Sequence, residues 1–169
     1  MADTGNDRIM RYTEGTNTGV LVAGGNGRGN NTNQLNFPTV IYFESSSNSL
    51  IIANTDSNNI VRWRIGDSNW TLVTGSLNAS RGNSPSSLDR PHGLTVDPMG
   101  NLYVADTNNQ RIQFFSVGQT EGRTIAGITG VQGSNSTLLH NPFSVAFDNQ
   151  LNLYVADTYG NRVQKFLRY

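Results

Sequence analysis

The sequence repeats itself, and the period limits the possible folds more than any single residue does. Four stretches align without gaps over eleven residues: 2–12 (ADTGNDRIMRY), 53–63 (ANTDSNNIVRW), 105–115 (ADTNNQRIQFF) and 156–166 (ADTYGNRVQKF). Their leading alanines, Ala2, Ala53, Ala105 and Ala156, lie 51, 52 and 51 residues apart. Two more landmarks keep the same step. Pro38, Pro91 and Pro142 each open an alternating run (PTVIYF, PHGLTVD, PFSVAFD), and Val22, Val73 and Ile125 each begin a short apolar-x-Gly segment.

One unit reads as four short strands. The first follows the proline, the second is Leu-Tyr-Val-Ala (102–105 or 153–156), the third runs 111–115 and the fourth 123–126. Pro-Met-Gly-Asn (98–101) and Thr-Asn-Asn-Gln (107–110) are turn sequences. Four strands per unit of about 50 residues, in tandem, is the signature of a β-propeller blade. Leu-Tyr-Val-Ala is apolar on both faces, as a sheet sandwiched between neighbours requires. No window carries helical apolar spacing, so a helical solenoid is excluded. The expected fold is therefore all-β, with antiparallel four-stranded blades. The blade boundaries are expected at 1–36 (partial), 37–88, 89–139 and 140–169 (partial).

The repeats also predict a pair of contacts. Asp3 and Arg8, Asp106 and Arg111, and Asp157 and Arg162 stand five residues apart, at the end of the second strand and the start of the third. In the second unit both members change together, to Asn54 and Asn59, so that neither charge is orphaned. The pattern reads as a cross-strand hairpin clamp rather than a ring of ligands. Thr4, Thr55, Thr107 and Thr158 never vary, which fits a hydroxyl bonded to the turn backbone.

Composition narrows the function. Twelve Lys and Arg balance twelve Asp and Glu, so no chain-wide field attracts nucleic acid. The absence of cysteine excludes disulfides, thiolate metal sites and cysteine nucleophiles. No apolar run approaches the roughly 20 residues of a membrane-spanning helix. MADTGNDRIM lacks the apolar core of a secretory signal, and the compartment stays unassigned between cytoplasm and exterior.

PHGLTVDPMGNLYVADTNNQRIQFF (91–115) resembles an NHL repeat: a proline-led strand, an aspartate, a Gly-Asn turn, then Tyr-Val-Ala-Asp and an Arg-Ile strand. PFSVAFDNQLNLYVADTYGNRVQKF (142–166) is similar, and the second unit departs most, at Ile-Ala-Asn and Asn59. The resemblance implies a six-bladed ring. At a period near 51, the 169 residues make about 3.3 blades, a partial arc. Both ends fall within a blade, so the chain reads as a fragment; two copies closing one ring is the alternative. An open arc would expose apolar outer faces and invite self-association.

The family includes C-terminal parts of tripartite-motif and related ubiquitin ligases, extracellular proteins and a few lyases, and its members bind proteins or RNA. The leading expectation for this chain is a non-catalytic scaffold for protein–protein interaction, such as the substrate-recognition part of a ubiquitin ligase. RNA binding on the loop face is the second reading, and a fragment of a lyase the third. No cofactor, DNA or membrane partner is expected. The long connections 24–37, 75–90 and 127–141 should share one face, where Arg28, Arg81, Arg90, His92, Asn141 and Phe143 are the candidate binding residues. His92 and His140 occupy non-equivalent positions and lack a third histidine, so they read as exposed loop residues rather than a metal set. Asp97, Asp148 and Glu44 close first strands; turn capping explains them better than an acidic ring for calcium.

Overall fold

Each eleven-residue block folds into a hairpin, and the hairpins set the whole architecture. A computed structural model describes residues 1–167. Its strands form four antiparallel meanders in chain order. The first contains β1 (Ala2–Asp3), β2 (Arg8–Tyr12) and β3 (Gly19–Gly24). The second contains β4 (Pro38–Glu44), β5 (Ser49–Asn54), β6 (Asn59–Arg64) and β7 (Thr71–Gly75). The third contains β8 (Pro91–Val96), β9 (Leu102–Asp106), β10 (Arg111–Phe115) and β11 (Arg123–Gly127). The fourth contains β12 (Pro142–Phe147), β13 (Leu153–Asp157) and β14 (Arg162–Phe166). The fold is all-β, a partial propeller of two four-stranded blades flanked by two three-stranded sheets.

The hairpins share one turn. A single 3-10 turn (Thr4–Asn6, Thr55–Ser57, Thr107–Asn109) leads into a left-handed residue: Asp7, Asn58 and Gln110, with φ of 51°, 54° and 60°. Asn161 takes the same conformation at φ 52° in the fourth block. Asn and Asp tolerate this region because their short side chains bond locally. The turn places Asp3 opposite Arg8, Asn54 opposite Asn59, Asp106 opposite Arg111 and Asp157 opposite Arg162.

The apolar core lies at the three junctions between sheets, as stacking of two-sided apolar strands requires. Ile51, Ala53 and Ile60 of the second sheet, for example, meet Leu94, Leu102, Val104 and Phe115 of the third. Each junction also receives a leucine from the loop between blades: Leu35, Leu88 and Leu139 are fully buried. Gly93 permits a close approach of the third and fourth sheets, because a Cβ there would sit 2.4 Å from the Phe143 carbonyl oxygen and 2.7 Å from Ser144 Cα.

The threonine expectation is corrected by the structure. The hydroxyls do not serve their own turns but cross to the next blade, where Thr4, Thr55 and Thr107 donate to the carbonyls of Pro38, Pro91 and Pro142, each at 2.7 Å. A second bond accompanies each one. Phe37, Arg90 and Asn141, the residues before the prolines, are left-handed, with φ of 56°, 49° and 50°. Their N–H groups donate to Asp7 Oδ1, Asn58 Oδ1 and Gln110 Oε1 at 2.8, 2.9 and 2.7 Å. These bonds hold a backbone conformation that costs an ordinary L-residue about 1–2 kcal/mol. In the last blade, Thr158 reaches only its own Ala156 carbonyl among the described residues, at 3.4 Å. There Val163 is 68% exposed, at the position where Ile60 and Ile112 are fully buried.

Candidate functional site

The Asp–Arg pairs of the blocks bind more than each other. Arg111 Nε donates to Asp106 Oδ2 at 2.8 Å, and both side chains are buried. The rest of the guanidinium donates to the carbonyls of Asn83, Ser84 and Ser87 at 2.9, 3.0 and 3.0 Å, gripping the loop between blades. Arg162 pairs with Asp157 at 2.7 Å and takes the equivalent carbonyls of Ser134, Asn135 and Leu138. Arg8 pairs with Asp3 at 2.7 Å. Burial pushes the Asp106 carboxyl up to about 6, opposed by the Asp89 N–H, the Asn109 amide and Arg111. These residues therefore build the scaffold and offer little to a ligand.

In the second unit Asn54 and Asn59 face each other in register, yet their amides bond elsewhere. Asn54 Oδ1 accepts from the Asn36 N–H, and Asn59 Nδ2 donates to the Ser76 carbonyl. Asn54 Nδ2 and Asn59 Oδ1 are buried without partners among the described residues. The loop contact that arginine supplies elsewhere comes here from Trp70, whose Nε1 donates to the Gln34 carbonyl at 2.8 Å.

The loop face carries the remaining candidates, and most of its charge is already neutralised. Arg28 Nε lies 3.0 Å from Asp7 Oδ2, Arg90 2.8 Å from Asp56, and Arg81 3.7 Å from Asp89. Asn141 Oδ1 accepts from Gln110 Nε2 at 2.8 Å, as part of a blade junction. His92 and Phe143 both follow their prolines, and the structure brings them together as parallel rings 4.4 Å apart. Thr39, the third residue of this set, donates to the His92 carbonyl at 2.7 Å.

His92 is a half-buried strand residue, not the exposed loop histidine expected. Its Nδ1 lies 2.9 Å from the Arg90 carbonyl, which assigns the proton to Nδ1 and leaves Nε2 an acceptor. Desolvation lowers its pKa, so the ring is neutral near pH 7.

Tyr159 and His140 extend the ring surface. Tyr159 stands edge-on to Phe143 at 6.2 Å and lies 5.6 Å from the His140 ring. Sequence reasoning missed Tyr159, although one signal was available: it occupies the turn position held by Gly5, Asp56 and Asn108 in the other blocks. Leu35, Leu88 and Leu139 were missed too, each standing three residues before its proline.

At the opposite end, Asp97 and Asp148 cap turns. Asp97 Oδ1 accepts from the Met99 and Asn101 N–H groups, and Asp148 Oδ1 from those of Gln150 and Asn152. The Asn152 side chain, with these backbone donors, holds the Asp148 carboxyl down to about 2. Glu44 does not cap a turn in this way; its carboxylate pairs with Arg62 and accepts from Ser47. A cavity of about 580 Å³ lies beside it, lined mainly by Ser45–Ser47, Asn48, Arg62 and Arg64.

Comparison with known proteins agrees with this geometry. The NHL repeat model matches residues 88–115 and 139–166. No curated protein matches the sequence significantly. A crystal structure of a protein of unknown function from Bacteroides thetaiotaomicron superposes with a TM-score of 0.75 at 18% identity, over 95% of this chain and 42% of its own. An auxiliary nutrient binding protein from Bacteroides ovatus gives 0.71 at 17% identity, over 97% and 44%. A streptogramin B lyase gives 0.61 at 12%, over 99% and 47%. At such identities the likeness concerns the fold alone, and the chain spans less than half of each of these three structures. The chain thus carries two NHL repeats within a partial β-propeller.

Proposed function

We propose that this segment is a non-catalytic scaffold that docks a protein partner on its loop face, in the manner of a substrate-recognition part of a larger protein such as a ubiquitin ligase. The observation that carries the reading is the contrast on that face between spent charges and available rings. Arg28, Arg81 and Arg90 each have a carboxylate, whereas Tyr159, 59% exposed, adjoins the His92–Phe143 stack. Aromatic side chains anchored beside a rigid frame make strong contact points for protein partners.

Stacking rings also suit single-stranded RNA. That reading needs unpaired cations for the phosphates, and the paired arginines speak against it. A lyase-type reading needs further catalytic groups beside His92. Among the described residues its Nδ1 bonds only to the Arg90 carbonyl and Thr107.

Selection of a displayed random-peptide library on the purified chain tests the proposal. Enriched peptides should lose binding to Tyr159→Ala and keep it with Arg64→Ala, which alters the opposite end. Peptides indifferent to Tyr159→Ala but sensitive to Arg64→Ala would move the site off the loop face.

A further inference from the structure

The end of the molecule away from the loop face holds a groove that the docking role leaves unused. It lies between the second and third sheets, each of which packs against a neighbour on both sides, so it is not the bare end of the arc. On β6, Ile60, Arg62 and Arg64 point to one side, and the register sets Ala53, Ile51 and Ser49 opposite them. Ala53, Ile51 and Ile60 are buried against the third sheet, so both arginines extend that same row. At the next junction the residues matching Ile51 and Arg62 are Tyr103 and Phe114. There Tyr103 meets Phe114 and Phe147 edge-on, at 5.1 and 4.8 Å, and the three rings close the space.

Below Ile51 the second junction stays open. An apolar cleft of about 300 Å³ and the cavity of about 580 Å³ meet there at Arg62. The cleft is walled by aliphatic side chains, among them Leu72, Val73 and Val96, and its rim carries Met99 and Val117, 69% and 61% exposed. The cavity is polar. Arg62 is held by Glu44, but the Arg64 guanidinium has neither a carboxylate nor a hydrogen-bond partner among the described residues. The hydroxyls of Ser45, Ser46 and Thr71 in the same cavity are likewise unbonded among the described residues.

We propose that this groove binds a small aliphatic monocarboxylate, with its carboxylate on Arg64 and the neighbouring hydroxyls and its tail in the cleft between the blades. Each part of the ligand answers a part of the groove. A planar carboxylate matches the guanidinium fork with two parallel bonds. Arg62 and Arg64 stand with Glu44 and Asp67, so the groove has no net charge of its own. One added negative charge suits it, whereas a phosphate dianion meets the repulsion of both acids. The aliphatic walls favour a hydrocarbon tail over a sugar, which would leave them uncovered in water. Both spaces together are of the size that small-molecule sites occupy.

The test is titration of the whole chain with octanoate at neutral pH, read by calorimetry and by methyl NMR of Met99, Val117 and Leu72. Those methyl signals should shift while the His92 and Tyr159 signals stay in place. Each methylene removed from the acid should weaken binding about two- to fourfold. Arg64→Ala, an exposed substitution, should weaken it at least about tenfold, with Arg64→Lys between. Val117→Ser, also exposed, should weaken it about threefold, and Tyr159→Ala should leave it unchanged.

Binding that survives Arg64→Ala overturns the proposal, as does an absence of shifts at Met99 and Val117. Octanol that binds as tightly as octanoate, or octyl phosphate that binds more tightly, overturns it too. A short peptide with a free apolar C-terminus that displaces octanoate and binds more tightly overturns it in favour of a protein C-terminus. None of these results touches the loop-face docking role, which the Tyr159 variant tests separately.

Discussion

Replacing Arg111 by alanine should be among the most damaging single changes in the chain, and the structure says by how much. The substitution strips Asp106 of its countercharge while leaving it wholly buried. It also removes the donors to Asn83, Ser84 and Ser87, so one loop between blades loses its grip. Breaking a buried pair from one side costs about 3–5 kcal/mol. For a chain of this length that lowers Tm by roughly 6–20 °C, at about 2–4 °C per kcal/mol. Arg162→Ala should cost less, because its side chain is 26% exposed and solvent can take over part of the pairing.

The second blade supplies the control, since it already carries the neutral alternative. The double variant Asp106→Asn/Arg111→Asn should recover about half of the single-variant loss, because it removes the orphaned charge. It should not reach wild type, since Gly122 stands where Trp70 supplies a compensating N–H in the second blade. Urea unfolding followed by far-ultraviolet circular dichroism measures all of these variants. A loss below about 1 kcal/mol for Arg111→Ala, or a double variant that costs the sum of the singles, would refute the clamp.

Other expectations follow from the same contacts. Thr107→Val should cost about 1 kcal/mol by removing a buried bond between blades, and Thr158→Val close to nothing; equal losses in thermal unfolding would contradict the junction role. Gly93→Ala forces a Cβ against the Phe143 backbone and should cost about 1–3 kcal/mol while moving the His92 and Phe143 NMR signals. Asp106 titrates at about 6 when folded, against roughly 4 when unfolded, so its contribution is fully present below pH 4 and is lost as pH rises through 6. Wild type should therefore gain about 1 kcal/mol over Asp106→Asn between pH 7 and pH 5, and the opposite trend in urea midpoints would show that Arg111 outweighs burial. The exposed Val163 and Leu167 should drive self-association, and a stable 18.4 kDa monomer in light scattering would count against it.

The fold was legible because a propeller writes its architecture in repetition. Proline, the Ala-Asp-Thr block and the Gly-ended strand recur in order, and each marks one strand. The direction of the threonine bond was not legible. A hydroxyl beside a turn can serve its own backbone or a neighbour's, and only the stacking angle of the blades decides. The buried leucines of the long loops were masked by their polar surroundings, as in GNNTNQL and GNSPSSL, where turn composition hides one core residue. At the loop face, sequence offered Arg28, Arg81 and Arg90 as candidate binding residues because it could not show their carboxylates. Asp7, Asp56 and Asp89 lie 21, 34 and 8 residues from their arginines and meet them only once the blades stack.

Repetition also separates scaffold from function within this one chain. Positions that hold a junction stay nearly fixed from blade to blade: the threonine, the proline, the loop leucine and the left-handed turn residue. Two positions at the same place in every blade change completely. The residue after the proline is Thr39, then His92, then Phe143, and the fourth residue of the block is Gly5, Asp56, Asn108, then Tyr159. Both positions touch the neighbouring blade, as Asp56 does Arg90 and His92 does Phe143, but a different residue type fills them each time, so packing does not dictate one chemistry there. Both sit on the loop face, and aromatic character accumulates there toward the fourth blade. A scaffold built from equal blades can be specific only through its unequal positions. The docking surface proposed for this chain is therefore to be sought at the His92, Phe143 and Tyr159 rings rather than at the Asp–Arg motif, whose regularity serves the blades themselves.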